Sequence, residues 1–264
     1  MCDTCGCNIT HGNEHLIAPG GKLETTAIGH EAIDVLHNLL HENDHTAQHN
    51  REHFNAHGVT AINLMSSPGS GKTALLEATI KTLGDEFRIA VIEGDLETEN
   101  DAERIRSHGV TAIQITTGSA CHLDAHMVHD ALHNLDLADF DIVFIENVGN
   151  LVCPASFDLG QHSNIALLSV PEGDDKPAKY PVMFRTADMV MLSKVDLLPI
   201  LDDFKPERAE RYLRELASSA PVIQTSAKSG EGMDDWLNWL RELVASNKPA
   251  HTQLSHSHAS HTHL

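Results

Sequence analysis

Ala61-Ile62-Asn63-Leu64-Met65-Ser66-Ser67-Pro68-Gly69-Ser70-Gly71-Lys72-Thr73 joins an apolar run, long enough for a buried strand, to a loop that closes on Gly-Lys-Thr. A loop of this kind cradles phosphate. Its glycines let successive backbone N–H groups turn inward, its lysine reaches the β and γ phosphates, and its threonine hydroxyl ligates magnesium. Gly69, Ser70, Gly71, Lys72, Thr73 and Ala74 are assigned to that cradle, with Lys72 also a catalytic group and Thr73 the magnesium ligand. A helical stretch, residues 73–80, follows at once and puts the positive end of its dipole under the phosphates. Ser66 stands where the eight-residue pattern has its first glycine.

Outward from the loop, apolar runs at residues 87–92, 111–115, 141–145, 165–170, 189–192 and 222–225 read as strands, and residues 124–135, 206–217 and 233–245 as helices. Strands that alternate with helices and lack polar alternation predict an α/β fold, a mostly parallel sheet with helices on both faces. Residues 58–247 are expected to form this domain. Residues 26–57 are expected to form a helix, with Ile33, Leu36 and Leu40 on one stripe and Leu39 beside it; histidines recur there at every fourth position from 37 to 57. Residues 1–25 read as a flexible cysteine-rich arm and residues 248–264 as a disordered histidine-rich tail.

The formal charge of −20 argues against nucleic acid or an anionic membrane as a partner, either of which needs a basic face. No apolar run approaches the roughly 20 residues of a membrane span, and the N-terminus lacks a secretory signal, so a cytoplasmic protein is expected. In a reducing compartment the five cysteines are read for metal or redox chemistry before disulfides.

Ser193-Lys194-Val195-Asp196 and Ser226-Ala227-Lys228 each follow a strand, where a purine base lies in a phosphate-loop domain. A carboxylate accepts hydrogen bonds from the N1 and N2 donors of guanine, whereas adenine has an acceptor at N1 and no donor at position 2. Asp196 therefore selects GTP. The stem of Lys194 covers the base, and the backbone at Ser226, Ala227 and Lys228 donates to the guanine oxygen. Ser193 replaces the asparagine of the usual pattern, so one amide contact is weakened or lost.

Taken together, residues 66–73, Glu93-Gly94-Asp95, Cys121-His122-Leu123, Asn50-Arg51-Glu52-His53-Phe54 and Glu146-Asn147-Val148-Gly149-Asn150-Leu151-Val152-Cys153-Pro154 closely resemble the HypB family, the GTPases that assist nickel insertion into NiFe hydrogenase. The resemblance runs from the N-terminal arm to about residue 247. It implies a P-loop GTPase of the SIMIBI class, which includes nitrogenase iron protein and signal-recognition GTPases. It also implies a homodimer dependent on nucleotide or metal. Its partners would be other hydrogenase-maturation proteins and the NiFe hydrogenase large subunit.

Asp95 and Glu146 stand at strand ends beside the loop, suited to hold magnesium or its waters, or to position the attacking water. Cys2, Cys5 and Cys7 place three thiolates around one turn at Gly6, a donor set for nickel or zinc, with the terminal amine or His11 as a fourth ligand. A redox pair at Cys2 and Cys5 is the weaker reading, and the resemblance favours nickel. Cys121, His122 and Cys153 lie past strand ends on the nucleotide side. Two such cysteines alone would read as packing residues; their places in two family motifs make them a shared metal site between subunits. His126, His129 and His133 extend a stripe from His122 that reads equally as solvated surface or as ligands. The histidine tracts as a whole suggest weak metal storage.

Two rivals compete with a nickel metallochaperone: a nickel or zinc store with a weak GTPase, and a GTPase serving another nickel enzyme such as urease. Nothing in the arm's sequence ties it to the phosphate loop. Cys5→Ala is therefore expected to remove the tightest nickel site in a nickel titration and leave GTP hydrolysis nearly intact; an unchanged titration would defeat that assignment.

Overall fold

The computed structural model describes residues 30–95, 100–118 and 120–248, with side chains from Leu39 onward. The Cys2, Cys5 and Cys7 arm and the tail beyond Lys248 lie outside the described residues.

The strands are β1 (Thr60–Ser66), β2 (Ile89–Asp95), β3 (Thr111–Thr116), β4 (Ile142–Glu146), β5 (Ser163–Ser169), β6 (Met189–Ser193) and β7 (Val222–Thr225). They form a seven-stranded sheet in the order β3-β2-β4-β1-β5-β6-β7, with every neighbouring pair parallel. β1 is buried along its whole length because it lies inside that sheet with helices over both faces. The chain goes to one side of β1 for β2, β3 and β4 and to the other side for β5, β6 and β7. Connections diverge there and leave a crevice at its carboxyl end, the place where open α/β sheets bind ligands.

Alternation along β1 decides which core each residue joins. Ile62 and Leu64 pack with Leu75, Leu76 and Ile80 of α2 (Lys72–Leu83), with Ile105 of α3 (Asn100–Arg106) and with Trp236 and Leu240 of α8 (Met233–Asn247). Ala61 packs on the opposite face with Phe54 of α1 (His30–His57) and Val128 of α4 (Ala125–Leu132). Met65 joins that second face further along, under α6 (Pro181–Thr186) and α7 (Pro206–Glu215), with α5 (Lys176–Lys179) leading into α6.

Several elements differ from expectation. β2 begins at Ile89 and runs on to Asp95, past residue 92 where the apolar run stops, so Glu93-Gly94-Asp95 forms the carboxyl end of the strand itself. α3 forms in a stretch that reads only as polar, because two residues, Ala102 and Ile105, suffice to anchor one short helix. In α1 Leu39 is the buried leucine and Leu40 the half-buried one, the reverse of the expected stripe, while the side chains of Ile33 and Leu36 lie outside the described residues. The buried face continues through Asn43, Ala47, Asn50 and Phe54. Two of those docking residues are amides, and their hydrogen bonds replace apolar contact. Asn43 donates to the Asp158 carbonyl at 2.9 Å and accepts from the Ala125 N–H at 2.9 Å. Asn50 donates to the carbonyls of Ala125 and Leu159 at 2.9 and 3.1 Å.

Asn50→Ala is expected to cost about 1–3 kcal/mol in urea unfolding, since the buried Leu159 carbonyl loses its side-chain donor while the Ala125 carbonyl keeps its α4 helix bond. A loss under about 0.5 kcal/mol would show that α1 docks without this amide. Among the described residues no helix is long and apolar enough to cross a membrane.

Candidate nucleotide and metal site

At the carboxyl end of β1 a cavity of about 370 Å³ is lined by Gly69, Gly71, Lys72, Thr73, Ala74, Glu93, Asp95, Glu146 and Gly149, among others. Gly71 caps α2 with φ 98°, a left-handed conformation that glycine alone adopts without strain. Ser66 has no such conformation, since Lys194 and Ala217 are the non-glycine residues with positive φ among those described. A glycine is therefore not required at that first position. The Ser66 hydroxyl accepts from Lys72 Nζ at 3.1 Å and donates to the Ser67 carbonyl at 2.7 Å.

Thr73 Oγ1 donates to Glu146 at 3.0 Å. Glu146 also faces Glu93, its register partner across β2 and β4. Burial first, and then the Glu146 carboxylate, push Glu93 up to about 10. Glu146 is also raised, by its own burial, with the Lys72 ammonium opposing the rise. Glu93 thus carries the shared proton and Glu146 accepts it. One oxygen of each, Glu93 Oε2 and Glu146 Oε2, is buried with no hydrogen-bond partner among the described residues. Glu93 carried no assigned role in the sequence; an acid inside an otherwise apolar buried strand was the available signal. Asp95 lines the same cavity and makes further contacts of its own.

A neighbouring cavity of about 230 Å³ shares Gly71 and Ala74 and is walled by Ser193, Lys194, Asp196, Ser226, Ala227 and Lys228. Asp196 accepts from Ser226 Oγ at 2.7 Å, which aims the carboxylate, and Ser226 Oγ in turn accepts from the Ser229 N–H at 3.1 Å. Lys194 Nζ donates to the Gly69 carbonyl at 2.5 Å. Ser193, in place of asparagine, donates to the Ser70 carbonyl at 2.7 Å and is buried, so its hydroxyl makes a tie to the phosphate loop. Glu172 has no motif signal, yet it accepts from the hydroxyls of Ser67, Ser70 and Ser169 and pins the loop from behind.

Beside these cavities the structure brings together Cys121 Sγ, a ring nitrogen of His122 and Cys153 Sγ, all within 4.8 Å of one another. His122 is wholly buried, stacks on Phe157 at 4.0 Å between centroids, and leaves Nε2 without a partner among the described residues. Burial pulls its pKa down to about 4, so the ring is neutral and able to ligate. Burial and then the Cys153 thiol push Cys121 up to about 11, so a cation binding here displaces protons from sulfur. Two thiols and an unclaimed imidazole suit nickel or zinc.

The Cys121 and Cys153 loops are stitched together. Asn150 Nδ2 donates to the Cys121 carbonyl at 3.2 Å, and Asn147 Oδ1 accepts from the Leu123 N–H at 3.1 Å. Gly149 lies flat on the phosphate loop: a Cβ there would fall 2.8 Å from the Pro68 backbone. Nucleotide and metal clusters thus share one segment, residues 146–153.

Residues 60–224 match the family model described as CobW/HypB/UreG, nucleotide-binding domain. The hydrogenase maturation factor HypB of Azotobacter vinelandii is 55% identical over 208 residues, 79% of this chain and 68% of that protein. HypB of Escherichia coli strain K12 is 51% identical over 230 residues, 87% of this chain and 77% of that protein. The crystal structure of HypB from Helicobacter pylori in complex with nickel superposes with a TM-score of 0.75 at 44% identity, over 80% of this chain and 99% of that one.

Proposed function

The chain belongs to the HypB family of hydrogenase maturation factors, within the CobW/HypB/UreG nucleotide-binding group, and on that premise we propose that it is a GTP-hydrolysing metallochaperone that delivers nickel to NiFe hydrogenase. The observation that carries this reading is the contact between the two clusters: Gly149 rests on the phosphate loop while Asn147 and Asn150 of the same segment hold the Cys121 loop.

GTP spans the two cavities, with guanine against Asp196 and the phosphates over Gly69 to Ala74. Glu146 suits magnesium, because a buried carboxylate oxygen without a partner is a hard donor for a divalent cation, and Thr73 and Asp95 line the same cavity beside it. Magnesium would supply charge neutralisation at the β and γ phosphates. Lys72 binds the same oxygens, and Asp95 or Glu146 orients the attacking water. Nickel is the cargo at Cys121, His122 and Cys153, with zinc a competitor for the same donors. The chain acts in the cytoplasm, as a homodimer that closes with nucleotide or metal, with other maturation proteins and the hydrogenase large subunit as partners.

The test is transfer of nickel from the loaded protein to a hydrogenase large-subunit precursor in the presence of GTP or GDP. Faster transfer in one nucleotide state is expected, and equal transfer in both states sinks the proposal.

Guanine selection gives a separate expectation. Asp196→Asn weakens GTP roughly ten- to hundredfold, the worth of a hydrogen bond to a charged group. It should favour xanthosine triphosphate, whose position 2 carries an oxygen. Equal competition by ATP and GTP in the unmodified protein would refute the Asp196 assignment.

A further inference from the structure

Two rows of histidine meet where α1 crosses α4. α1 carries His49, His53 and His57 at helical spacing, and α4 carries His129 with His133 at its C-cap. The rings form a continuous series. Centroids lie 6.1 Å apart for His57 and His53, 5.0 Å for His53 and His49, 5.1 Å for His49 and His129, and 4.7 Å for His129 and His133. The helix period alone does not produce this. His41 and His45 continue the same row, yet neither makes a ring contact among the described residues; rings gather only at the crossing.

Hydrogen bonding also fixes which nitrogens are available. Both N–H groups of the Asn50 amide are spent on the carbonyls of Ala125 and Leu159, so its oxygen must accept. His129 Nδ1, 3.0 Å from that oxygen, is then the donor, and His129 Nε2 keeps its lone pair. His57 Nδ1 lies 2.9 Å from the His53 carbonyl, to which it must donate, so Nε2 is the ring nitrogen that faces away from the backbone bond. A ring whose second nitrogen is anchored to an amide or carbonyl is the usual arrangement of a metal-binding histidine. His49 and His133 are exposed, and His53 and His129 half-buried, which leaves room for the rings to turn about their own torsions.

We propose that His49, His53, His129 and His133 form a metal site between α1 and α4, separate from Cys121, His122 and Cys153, that takes a borderline divalent cation such as zinc or nickel on imidazole nitrogens. Two imidazoles that share one tetrahedral ion through nitrogens at about 2.0–2.1 Å have ring centroids about 5 Å apart, the spacing of the His49–His53, His49–His129 and His129–His133 pairs. Turning the rings, whose ligand atoms do not yet converge as those of Cys121, His122 and Cys153 do, is what would close the site. Burial first, then the neighbouring rings, lower the pKa of His53 and of His129, so both are neutral ligands near pH 7. An ion bound here staples the helix that follows the N-terminal arm to the helix that follows His122. The inference does not depend on the GTP reading.

The test uses the full chain, freed of metal and then loaded with zinc, in three forms: unmodified, His49→Ala/His133→Ala, and His41→Ala/His45→Ala. The last removes the same number of imidazoles from outside the crossing. Bound zinc per chain is measured by equilibrium dialysis, and the ring nitrogens of His129 are followed by nitrogen-15 NMR. The crossing variant is expected to lose about one equivalent of zinc and the zinc-induced shift of His129 Nε2, while the control variant keeps both. Both altered pairs are exposed, and an unchanged far-UV spectrum confirms that neither change unfolds the chain. Any other pattern, including equal loss in both variants or a His129 resonance indifferent to zinc, overturns the proposal.

Discussion

Lys72→Ala lowers GTP turnover by about 10²- to 10³-fold, the range seen when one preorganised cationic or hydrogen-bonding group is removed from a site where charge develops. Lys72 opens α2, is buried, and donates from Nζ to Ser66 Oγ at 3.1 Å, so its ammonium sits against the first residue of the phosphate loop. Its charge lies beside Glu146 and Glu93 and opposes the rise of both acids. Removing it leaves no naked pair of carboxylates, because Glu93 already holds a proton. The variant should therefore fold, and the loss should appear in turnover rather than in soluble yield. A single-turnover assay with excess enzyme reads the chemical step without interference from product release. Turnover within threefold of the unmodified protein would place the hydrolysing site elsewhere and revive the reading of a metal store whose GTPase is vestigial.

Much of this site was legible because its chemistry is concentrated in short runs with fixed backbone demands. A strand, a glycine turn and a helix N-terminus must be contiguous to hold a phosphate, so residues 61–80 announced themselves. The parallel sheet was legible for a similar reason, since strands buried on both faces read as unbroken apolar runs. What escaped was whatever depended on register or on side chains acting across the fold. Glu93 faces Glu146 only because β2 and β4 align them as partners. Glu172 reaches Ser67 and Ser70 from beyond the end of β5, more than a hundred residues away in sequence. Asn43 and Asn50 dock α1 through amides that an apolar-periodicity reading counts as surface. Ser66 stands where the eight-residue pattern has glycine, yet the backbone there asks for no positive φ.

In a chain whose arm is silenced by Cys5→Ala, nickel is expected to bind Cys121, His122 and Cys153 with affinities that differ by about 5- to 150-fold between the GTP-analogue and GDP states, the span of a coupling of about 1–3 kcal/mol. Glu146 accepts from Thr73 at 3.0 Å, so on the proposed binding mode a γ-phosphate and a cation held by Thr73 would act directly on the first residue of the shared segment. Three residues on, Gly149 has backbone contact with Pro68, which leaves no room for the segment to stay still if the phosphate loop shifts. Asn150, bonded to the Cys121 carbonyl, would pass such a displacement to that loop, and Cys153 would carry it as a proposed ligand. A metal site whose donors ride on two stitched loops cannot keep one geometry through such a movement. Linkage makes the effect reciprocal, so nickel must change nucleotide affinity by the same factor. Cys153→Ala abolishes the difference while GTP turnover persists, because the thiol lies outside the phosphate cavity. If Cys153 only packs beneath Pro154, nickel titrations in the two nucleotide states superimpose before any cysteine is changed, and the coupling is gone while Lys72 and Asp196 keep their roles.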